Sequence, residues 1–229
     1  VQDAFPESRL MGYFEWFYDP RGADANFDPS PPGRPAPARW EKPPTMLRTR
    51  NMPIFNDLWI CGQGLSPTYW QRTQLPREFW PKLAVLHDGV DCSFFTPAPG
   101  TRLELPGLDL AGAEEIVTYA TRGMEPYRGF PQFMEAAARV LRERPRAHVV
   151  VAGSERVCYG APLPEGKTYK QIMLDRLGLP PESLDRLHFV GSLPYGRYRQ
   201  LLQASSAHVY LTRPFVLSWS FLEALSCGC

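Results

Sequence analysis

At 229 residues, 44% of them hydrophobic and 21% charged, the chain is large enough to form one packed domain or parts of two. Its net charge of +1 gives no case for binding nucleic acid or an anionic membrane surface. The five cysteines are scattered without a C-x-x-C pair, and no histidine cluster has metal-ligand spacing, so we expect reduced thiols in a cytoplasmic protein. No signal peptide is recognisable, and no apolar run approaches the roughly 20 residues of a membrane span.

The first part of the chain has few regular elements. Eight prolines fall between Asp19 and Pro44, which predicts a long loop. The elements predicted around this loop are a strand at Leu10–Tyr18, a helix at Thr45–Leu58, a strand at Trp59–Leu65, a helical turn from Ser66 to Trp70 and a strand at Lys82–His87.

A segment without regular structure follows. Three prolines and three glycines fall between Thr96 and Ala113, and this composition suits a linker between domains. We therefore expect one domain over residues 1–91, a linker over 92–113 and a second domain over 114–229.

The second half alternates between apolar strand-like runs and helical patterns. Four successive βα units, with strands that are apolar on both faces, predict an α/β fold with a doubly wound parallel sheet. The predicted strands begin at Ile116, Ala147, Leu187 and Ala207, and the predicted helices begin near Pro131, Thr168, Tyr195 and Ser218.

The stretch from Ile116 to Arg139 carries the clearest chemical signal. A predicted strand leads into Arg122, a second arginine follows at Arg128, and a helix then starts near Pro131. At the carboxyl edge of a parallel sheet, two guanidinium groups beside a helix N-terminus suit a phosphate group. The alternative is that these are two surface arginines in an ordinary βα loop.

The two ends of the chain also carry information. The sequence begins at Val1 without an initiator methionine and stops at Ser226–Cys229, just after a predicted helix. We expect the chain to be a fragment that lacks both ends of a larger fold.

Five motifs in order give a resemblance to a known family. They are HDGVDCSFFTP from His87, TRGMEPYRGF from Thr121, VVVAGS from Val149, FVGSLPYGRYRQLL from Phe189 and FLEALSCGC from Phe221. With these motifs the chain resembles glycosyltransferase family 4, whose members are retaining enzymes of the GT-B fold.

The resemblance implies two facing Rossmann-like domains, both incomplete in this chain. Residues 1–91 would be the later part of an acceptor domain, and residues 114–229 the first part of a donor domain that binds a nucleotide-diphosphate sugar. The acceptor would be a glycan, a lipid-linked molecule or a small molecule, as in polysaccharide biosynthesis. Any peripheral association with a membrane would come from the missing parts.

The resemblance also implies roles for individual residues. Arg122 and Arg128 would hold the donor diphosphate, Glu223 would bind the ribose hydroxyls, and the loop from Gly191 to Leu193 would border the base. Arg128 replaces the usual lysine, which keeps the charge and adds a bidentate donor. The structural alternative for Glu223 is a carboxylate placed near a helix N-terminus, which the helix dipole favours.

One position departs from the family pattern. The family commonly has E-x7-E, but Phe215 stands eight residues before Glu223. A carboxylate therefore cannot contact the sugar there, and either the backbone of Val216, Leu217 and Ser218 holds the sugar or the pocket differs.

The expected mechanism follows from charge. The sequence contains no D-x-D pattern, so we expect a metal-independent enzyme without a cofactor, in which arginines neutralise the leaving diphosphate. In the family, retention needs no protein nucleophile, because the departing phosphate deprotonates the acceptor on the same face of the sugar. The alternative function is a non-catalytic module on the same scaffold that binds a nucleotide sugar or a glycan.

Overall fold

The structure is a computed structural model that describes residues 3–19, 44–110, 112–160 and 162–229. Contacts between Cα atoms divide it into two compact units. Unit 1 consists of Val1–Gly89 and Pro214–Leu217, and unit 2 consists of Val90–Arg213 and Ser218–Cys229. Most of the predicted loop in the first unit, residues 20–43, lies outside the described residues.

Unit 1 contains a parallel sheet of three short strands in the order β1-β2-β3. Its core is a cluster formed by Phe14, Leu58, Cys61, Leu75, Phe79 and Leu83. The elements are β1 at Met11–Tyr13, helix α1 at Pro44–Ile60, β2 at Gln63–Ser66, helix α2 at Tyr69–Gln74, a 3-10 helix at Arg77–Lys82 and β3 at Leu83–Val85.

Two predicted strands of unit 1 are placed differently. The predicted strand Trp59–Leu65 is wrong in its first half, since α1 continues to Ile60 and the N–H of Cys61 still donates to the carbonyl of Asp57 at 3.0 Å. The predicted strand Leu10–Tyr18 forms a ladder only at Met11–Tyr13. In both segments the aromatic and apolar residues predict a strand, although such residues pack equally well on a helix or in an irregular segment.

Unit 2 contains a fully parallel sheet in the order β6-β5-β4-β7, which confirms the predicted α/β alternation. Its strands are β4 at Glu115–Gly123, β5 at Ala147–Ser154, β6 at Leu187–Gly191 and β7 at Ala207–Val209. Its helices are α3 at Phe130–Glu143, α4 at Tyr169–Leu177, α5 at Pro181–Leu184, α6 at Tyr195–Gln203 and α7 at Trp219–Cys227.

The core of unit 2 lies between the sheet and α3. The apolar face of α3 is buried against strand residues such as Tyr119, Val149 and Val151, as its helical spacing predicts. Burying an apolar side chain stabilises a fold by ~1.5–3 kcal/mol. The α3 residues in this core are Phe130, Phe133, Met134, Ala137 and Leu141.

The segment before β4 packs on unit 2. Phe95 is buried with Leu202 and Ala224, and Leu103 is buried in a cluster with Val150. Leucines of this segment thus pack against strand residues of this unit.

No helix among the described residues is both long enough and apolar enough to cross a membrane.

Candidate functional site

The carboxyl ends of β4, β5 and β7 meet at one edge of the sheet of unit 2, because all three strands are parallel. The chain places charged and aromatic side chains in the segments that follow these strands. Four arginines belong to this edge, namely Arg122, Arg128, Arg156 and Arg213.

Arg122 belongs to the end of a strand, not to the loop expected from the sequence. β4 continues to Gly123, and its pairing with β5 is irregular between Thr121 and Gly123, so Arg122 is skipped in the ladder. Such a bulge redirects a side chain away from the sheet. The Arg122 side chain is exposed.

Arg128 is held from several sides. It ends a short 3-10 helix, Pro126–Arg128, and its Nη1 donates to Oγ1 of Thr212 at 3.3 Å. Its guanidinium carbon lies 5.1 Å from the centre of the Tyr159 ring, and its backbone carbonyl accepts from the hydroxyl of Tyr119 at 2.8 Å. A half-buried cation in this setting has few alternative rotamers.

Gly129 explains how the chain turns sharply after Arg128. Its φ of +67° is a left-handed conformation that glycine adopts without strain. A Cβ at this position would also lie 2.6 Å from Cβ of Leu211. No other residue type fits here without movement of the segment after β7.

Two tyrosines connect the three segments of this edge. The rings of Tyr127 and Tyr159 stack with centroids 5.3 Å apart. The Arg213 guanidinium lies 5.7 Å from the Tyr127 ring, and the backbone N–H of Arg213 donates to the carbonyl of Tyr127 at 3.0 Å. We call Arg213, Tyr127, Tyr159 and Arg128 the cation–aromatic stack.

Glu125 is the functional candidate that the sequence reading missed. It lies between the two predicted arginines and is fully buried. Its Oε2 accepts from the backbone N–H of Tyr159 at 2.8 Å and from that of Cys158. Burial raises the pKa of this carboxyl group above its ordinary value, although the two N–H groups and the charges of Arg128 and Arg156 act in the opposite direction. An acid placed between two arginines of one loop was the available signal.

The expected contribution of a helix N-terminus is small. The N–H of Phe130 donates to the carbonyl of Glu125 at 3.2 Å, and Pro131 has no N–H. The first two positions of α3 therefore offer no free donor to a phosphate.

Glu223 lies in a second cluster of unit 2, on α7. It is 6% exposed, and its Oε1 accepts from the hydroxyl of Tyr195 at 2.6 Å. The Tyr195 ring stacks on Phe94 with centroids 5.3 Å apart. Burial and this hydrogen bond to Glu223 raise the pKa of Tyr195 to about 12. The sequence reading missed Tyr195, and the aromatic residue opening the helix after Gly191 was the signal.

The other predicted donor contacts are distributed over both units. Gly191 ends β6 with a φ of +68° and is exposed, whereas the Leu193 side chain is partly buried against the cluster that includes Leu201. Ser218 precedes α7, and its hydroxyl lies 2.8 Å from that of Ser220. Val216 and Leu217 group with unit 1, and Ser218 groups with unit 2.

Phe215 lies in an aromatic seat within unit 1. Its ring centroid is 4.9 Å from that of Trp16, which lies 5.4 Å from Trp70. The buried Gln71 donates from Nε2 to the carbonyl of Glu15 at 2.9 Å and accepts the N–H of Leu217 at 3.4 Å. We call Trp16, Trp70 and Gln71 the aromatic seat. It holds residues 214–217 by rings and neutral hydrogen bonds.

Within the described ranges, no group of three or more His, Cys, Asp or Glu residues is positioned to hold a metal ion.

Comparison with known families confirms the predicted resemblance. Residues 1–95 match the model described as the glycosyl transferase family 4 group. A search among curated protein sequences finds no match at the significance required.

Solved structures give the fold. HepE from Anabaena, solved in complex with UDP, is 16% identical with a TM-score of 0.64, over 99% of this chain and 53% of its own. Sucrose-phosphate synthase from Thermosynechococcus elongatus is 19% identical with a TM-score of 0.60, over 79% of this chain and 42% of its own. The chain thus has the GT-B fold of these glycosyltransferases and spans about half of their length or less.

The catalytic domain of starch synthase IV from Arabidopsis thaliana, bound to ADP and acarbose, is also similar. It is 14% identical with a TM-score of 0.51, over 77% of this chain and 40% of its own.

Proposed function

We propose that the protein is a glycosyltransferase that moves a sugar from a nucleoside diphosphate sugar to an acceptor, with retention of configuration and without a metal or cofactor. The observation that carries this proposal is the placement of Arg128. Its guanidinium group is fixed by Tyr159 and Thr212 at the carboxyl edge of a parallel sheet, where such folds bind ligands.

The similar proteins support a nucleotide ligand. HepE was solved with UDP and starch synthase IV with ADP, and both share the fold of this chain. The family match over residues 1–95 supports a transferase acting on sugars. The acceptor class, a glycan, a lipid-linked molecule or a small molecule, and the cytoplasmic location stay predictions.

The residues take the following roles in the proposal. Arg128, with Arg122 beside it in the chain, neutralises the diphosphate, and Glu223 accepts hydrogen bonds from the ribose hydroxyls. The backbone from Gly191 to Leu193 borders the base. Ser218, the N-cap residue of α7, contacts the sugar in this proposal, and contacts from Val216 and Leu217 to the sugar stay predictions.

The chemistry then follows from charge. The bond between the sugar's anomeric carbon and the diphosphate oxygen breaks, and negative charge develops on that oxygen. A guanidinium group that is already fixed near this oxygen lowers the barrier without reorganising. The diphosphate takes the proton of the acceptor hydroxyl, which attacks the same face of the sugar.

Phe215 is the observation that favours a second candidate function. It occupies the position where the resembled family commonly has a glutamate, and it packs on Trp16. A module that binds a nucleotide sugar or a glycan without transferring it would tolerate this change.

Titration calorimetry of the full-length protein with UDP, GDP and ADP and their sugars, followed by a transfer assay with the donor that binds, tests the proposal. Micromolar binding of one nucleotide together with transfer supports the enzyme. Binding without transfer or donor hydrolysis supports the module. Absence of binding to all three nucleotides and their sugars contradicts the enzyme and the nucleotide-sugar module, whereas binding of a glycan alone supports the glycan-binding module.

A further inference from the structure

The carboxyl group of Glu125 is buried within the cationic edge, although burying an acid is unfavourable unless partners compensate. The proposed transfer reaction does not use this carboxyl group. One oxygen, Oε1, is buried and has no hydrogen-bond partner among the described residues. The other oxygen takes two successive backbone N–H groups, of Cys158 and Tyr159.

These two hydrogen bonds determine where the segment after β5 lies. Gly123, just before Glu125, is buried, and a Cβ on it would lie 2.6 Å from the carbonyl oxygen of Arg156 and 3.0 Å from Sγ of Cys158. The segment 156–159 therefore passes directly over the end of β4. Glu125 ties it down at the point of closest approach.

The tied segment carries Tyr159, and Tyr159 contacts Arg128. Its ring lies under the Arg128 guanidinium at 5.1 Å and stacks on Tyr127. An unbroken series of contacts thus runs from the Glu125 carboxyl group, through the Tyr159 backbone and ring, to the Arg128 guanidinium. A cation placed over a ring is worth ~0.5–2 kcal/mol, enough to select one rotamer.

We propose that Glu125 is a positioning residue: its carboxyl group fixes the segment 156–159, and Tyr159 on that segment fixes Arg128 for a diphosphate ligand. The inference builds on the proposed function, because it assigns the diphosphate as the group that Arg128 receives.

A simple electrostatic view makes the opposite prediction. An acid among Arg122, Arg128 and Arg156 should weaken anion binding, so its removal should strengthen it. If Glu125 is a positioning residue, removal of its carboxyl group weakens anion binding, because Tyr159 no longer holds the Arg128 guanidinium group in place. The direction of the change in anion affinity therefore distinguishes the electrostatic explanation from the positioning role.

The shape of the side chain matters more than its charge. Glutamine has the same length, its amide oxygen accepts the N–H groups of Cys158 and Tyr159, and its amide nitrogen occupies the place of Oε1. We expect Glu125→Gln to preserve the arrangement and Glu125→Ala to lose it.

Titration calorimetry of the full-length protein with inorganic pyrophosphate and with UDP provides the test. We expect Glu125→Ala to weaken pyrophosphate binding ~10-fold and Glu125→Gln less than ~3-fold, in line with the loss or retention of one charge-assisted contact. Glu155→Ala is the matched control, because Glu155 is an exposed acid directly before this segment and pairs with Lys170. It should leave binding unchanged.

A double-mutant cycle gives a readout that a purely structural role would not produce. If Glu125 acts through Arg128, Glu125→Ala should weaken pyrophosphate binding no further in an Arg128→Ala background. Tyr159→Ala should reproduce the loss caused by Glu125→Ala, and it carries the test should the latter variant fail to fold.

Unchanged or tighter pyrophosphate binding by Glu125→Ala would overturn the inference, as would losses that add to those of Arg128→Ala. Normal binding by Tyr159→Ala would overturn it too. Pyrophosphate binding that depends on Glu125, in a protein that binds no nucleotide, would support the inference and contradict the proposed function.

Discussion

The cation–aromatic stack of unit 2 and the aromatic seat of unit 1 hold their chain segments by different means. In the stack, guanidinium groups lie on the tyrosine rings, and a buried acid, Glu125, accepts backbone N–H groups beside them. In the seat, Phe215 lies on Trp16, and the neutral amide of Gln71 accepts the N–H of Leu217. The cation–aromatic stack thus uses charged side chains, whereas the aromatic seat is formed by uncharged ones.

The difference shows that the residues packed around a motif position determine whether an acidic side chain is stable there. The resembled family pattern places an acid at Phe215, where the surroundings are rings, and says nothing of Glu125, where the backbone offers two donors. An acid is stable in the second place and unfavourable in the first.

The largest expected effect breaks the stack itself. Arg128→Ala should lower transfer ~100-fold or more and weaken nucleoside diphosphate binding, because a fixed cation at the leaving group is lost. Arg128→Lys should be milder, since a point charge still neutralises phosphate. Turnover and calorimetry with the cognate donor give the measurement.

Comparing Arg122→Ala with Arg128→Ala tests whether a fixed arginine contributes more than an exposed one in the same unit. Arg122 is exposed at an irregularity of β4, whereas Arg128 is half-buried and held by Tyr159, so we expect a smaller loss at Arg122. Arg139→Ala is the charge-matched control, because Arg139 is exposed on α3 and pairs with the exposed Glu143. Equal losses at Arg122 and Arg128 would show that preorganisation contributes nothing.

The second prediction introduces charge into the seat. Phe215→Glu should lower the stability of the protein by ~1–3 kcal/mol and reduce transfer, because a carboxylate placed against the Trp16 ring loses part of its hydration. Phe215→Leu should retain most activity, since it stays apolar. Thermal unfolding and the transfer assay give the measurement.

Tyr69→Glu provides the control for that experiment. Tyr69 is 74% exposed at the first position of α2, where an added acid is favourable to the helix dipole. It should leave the melting temperature unchanged or raise it. A Phe215→Glu variant that transfers as fast as the parent would mean that the seat tolerates an acid and that the motif position keeps its usual chemistry.

The strands β5 and β6 were predictable from sequence because each is a mostly apolar run that ends at or next to a glycine. Val149–Ala152 before Gly153 is an example, and the strand lies where the pattern predicts it. Arg128 was predictable as a candidate since basic residues at strand ends are a local signal. The sequence could not give Glu125 its role, because that role depends on N–H groups more than thirty residues away.

Unit 1 was harder to predict for a physical reason. Its strands have three or four residues, and its aromatic residues pack on helices and irregular segments alike. Local periodicity over so few residues cannot distinguish a strand from the end of a helix, as at Trp59. The contact of Phe215 with Trp16 joins positions almost 200 residues apart, so no local pattern contains it.

The third prediction tests whether the sheet of unit 2 tolerates a protonated histidine, His208. His208 on β7 lies with Nδ1 2.8 Å from Oγ1 of the buried Thr118, and burial lowers its pKa to about 4. The unfolded chain takes up this proton near the ordinary value of ~6.5, so stability is complete above that pH and falls as pH drops toward 4, by at most ~1.4 kcal/mol per pH unit.

His208→Asn removes this titration and keeps an acceptor for Thr118. The difference in unfolding free energy between parent and variant should therefore shift in favour of the variant between pH 7 and pH 5, as measured by chemical denaturation. His148 and His188, whose pKa values burial also lowers, are present in both proteins and cancel. A difference that stays constant with pH would show that the sheet accepts the protonated ring.

The smallest expected effect concerns the acid on α7. Tyr195→Phe keeps the ring stack on Phe94 and removes only the hydroxyl that donates to Glu223. A hydrogen bond to a carboxylate contributes ~1.5–3 kcal/mol. A Glu223 that binds ribose should therefore lose orientation, and KM for the donor should rise ~3–10-fold with kcat nearly unchanged. Tyr210→Phe is the control, because the Tyr210 hydroxyl has no hydrogen-bond partner among the described residues. If KM stays constant in Tyr195→Phe but unfolding free energy falls, Glu223 is a structural acid of α7 and does not bind the ribose.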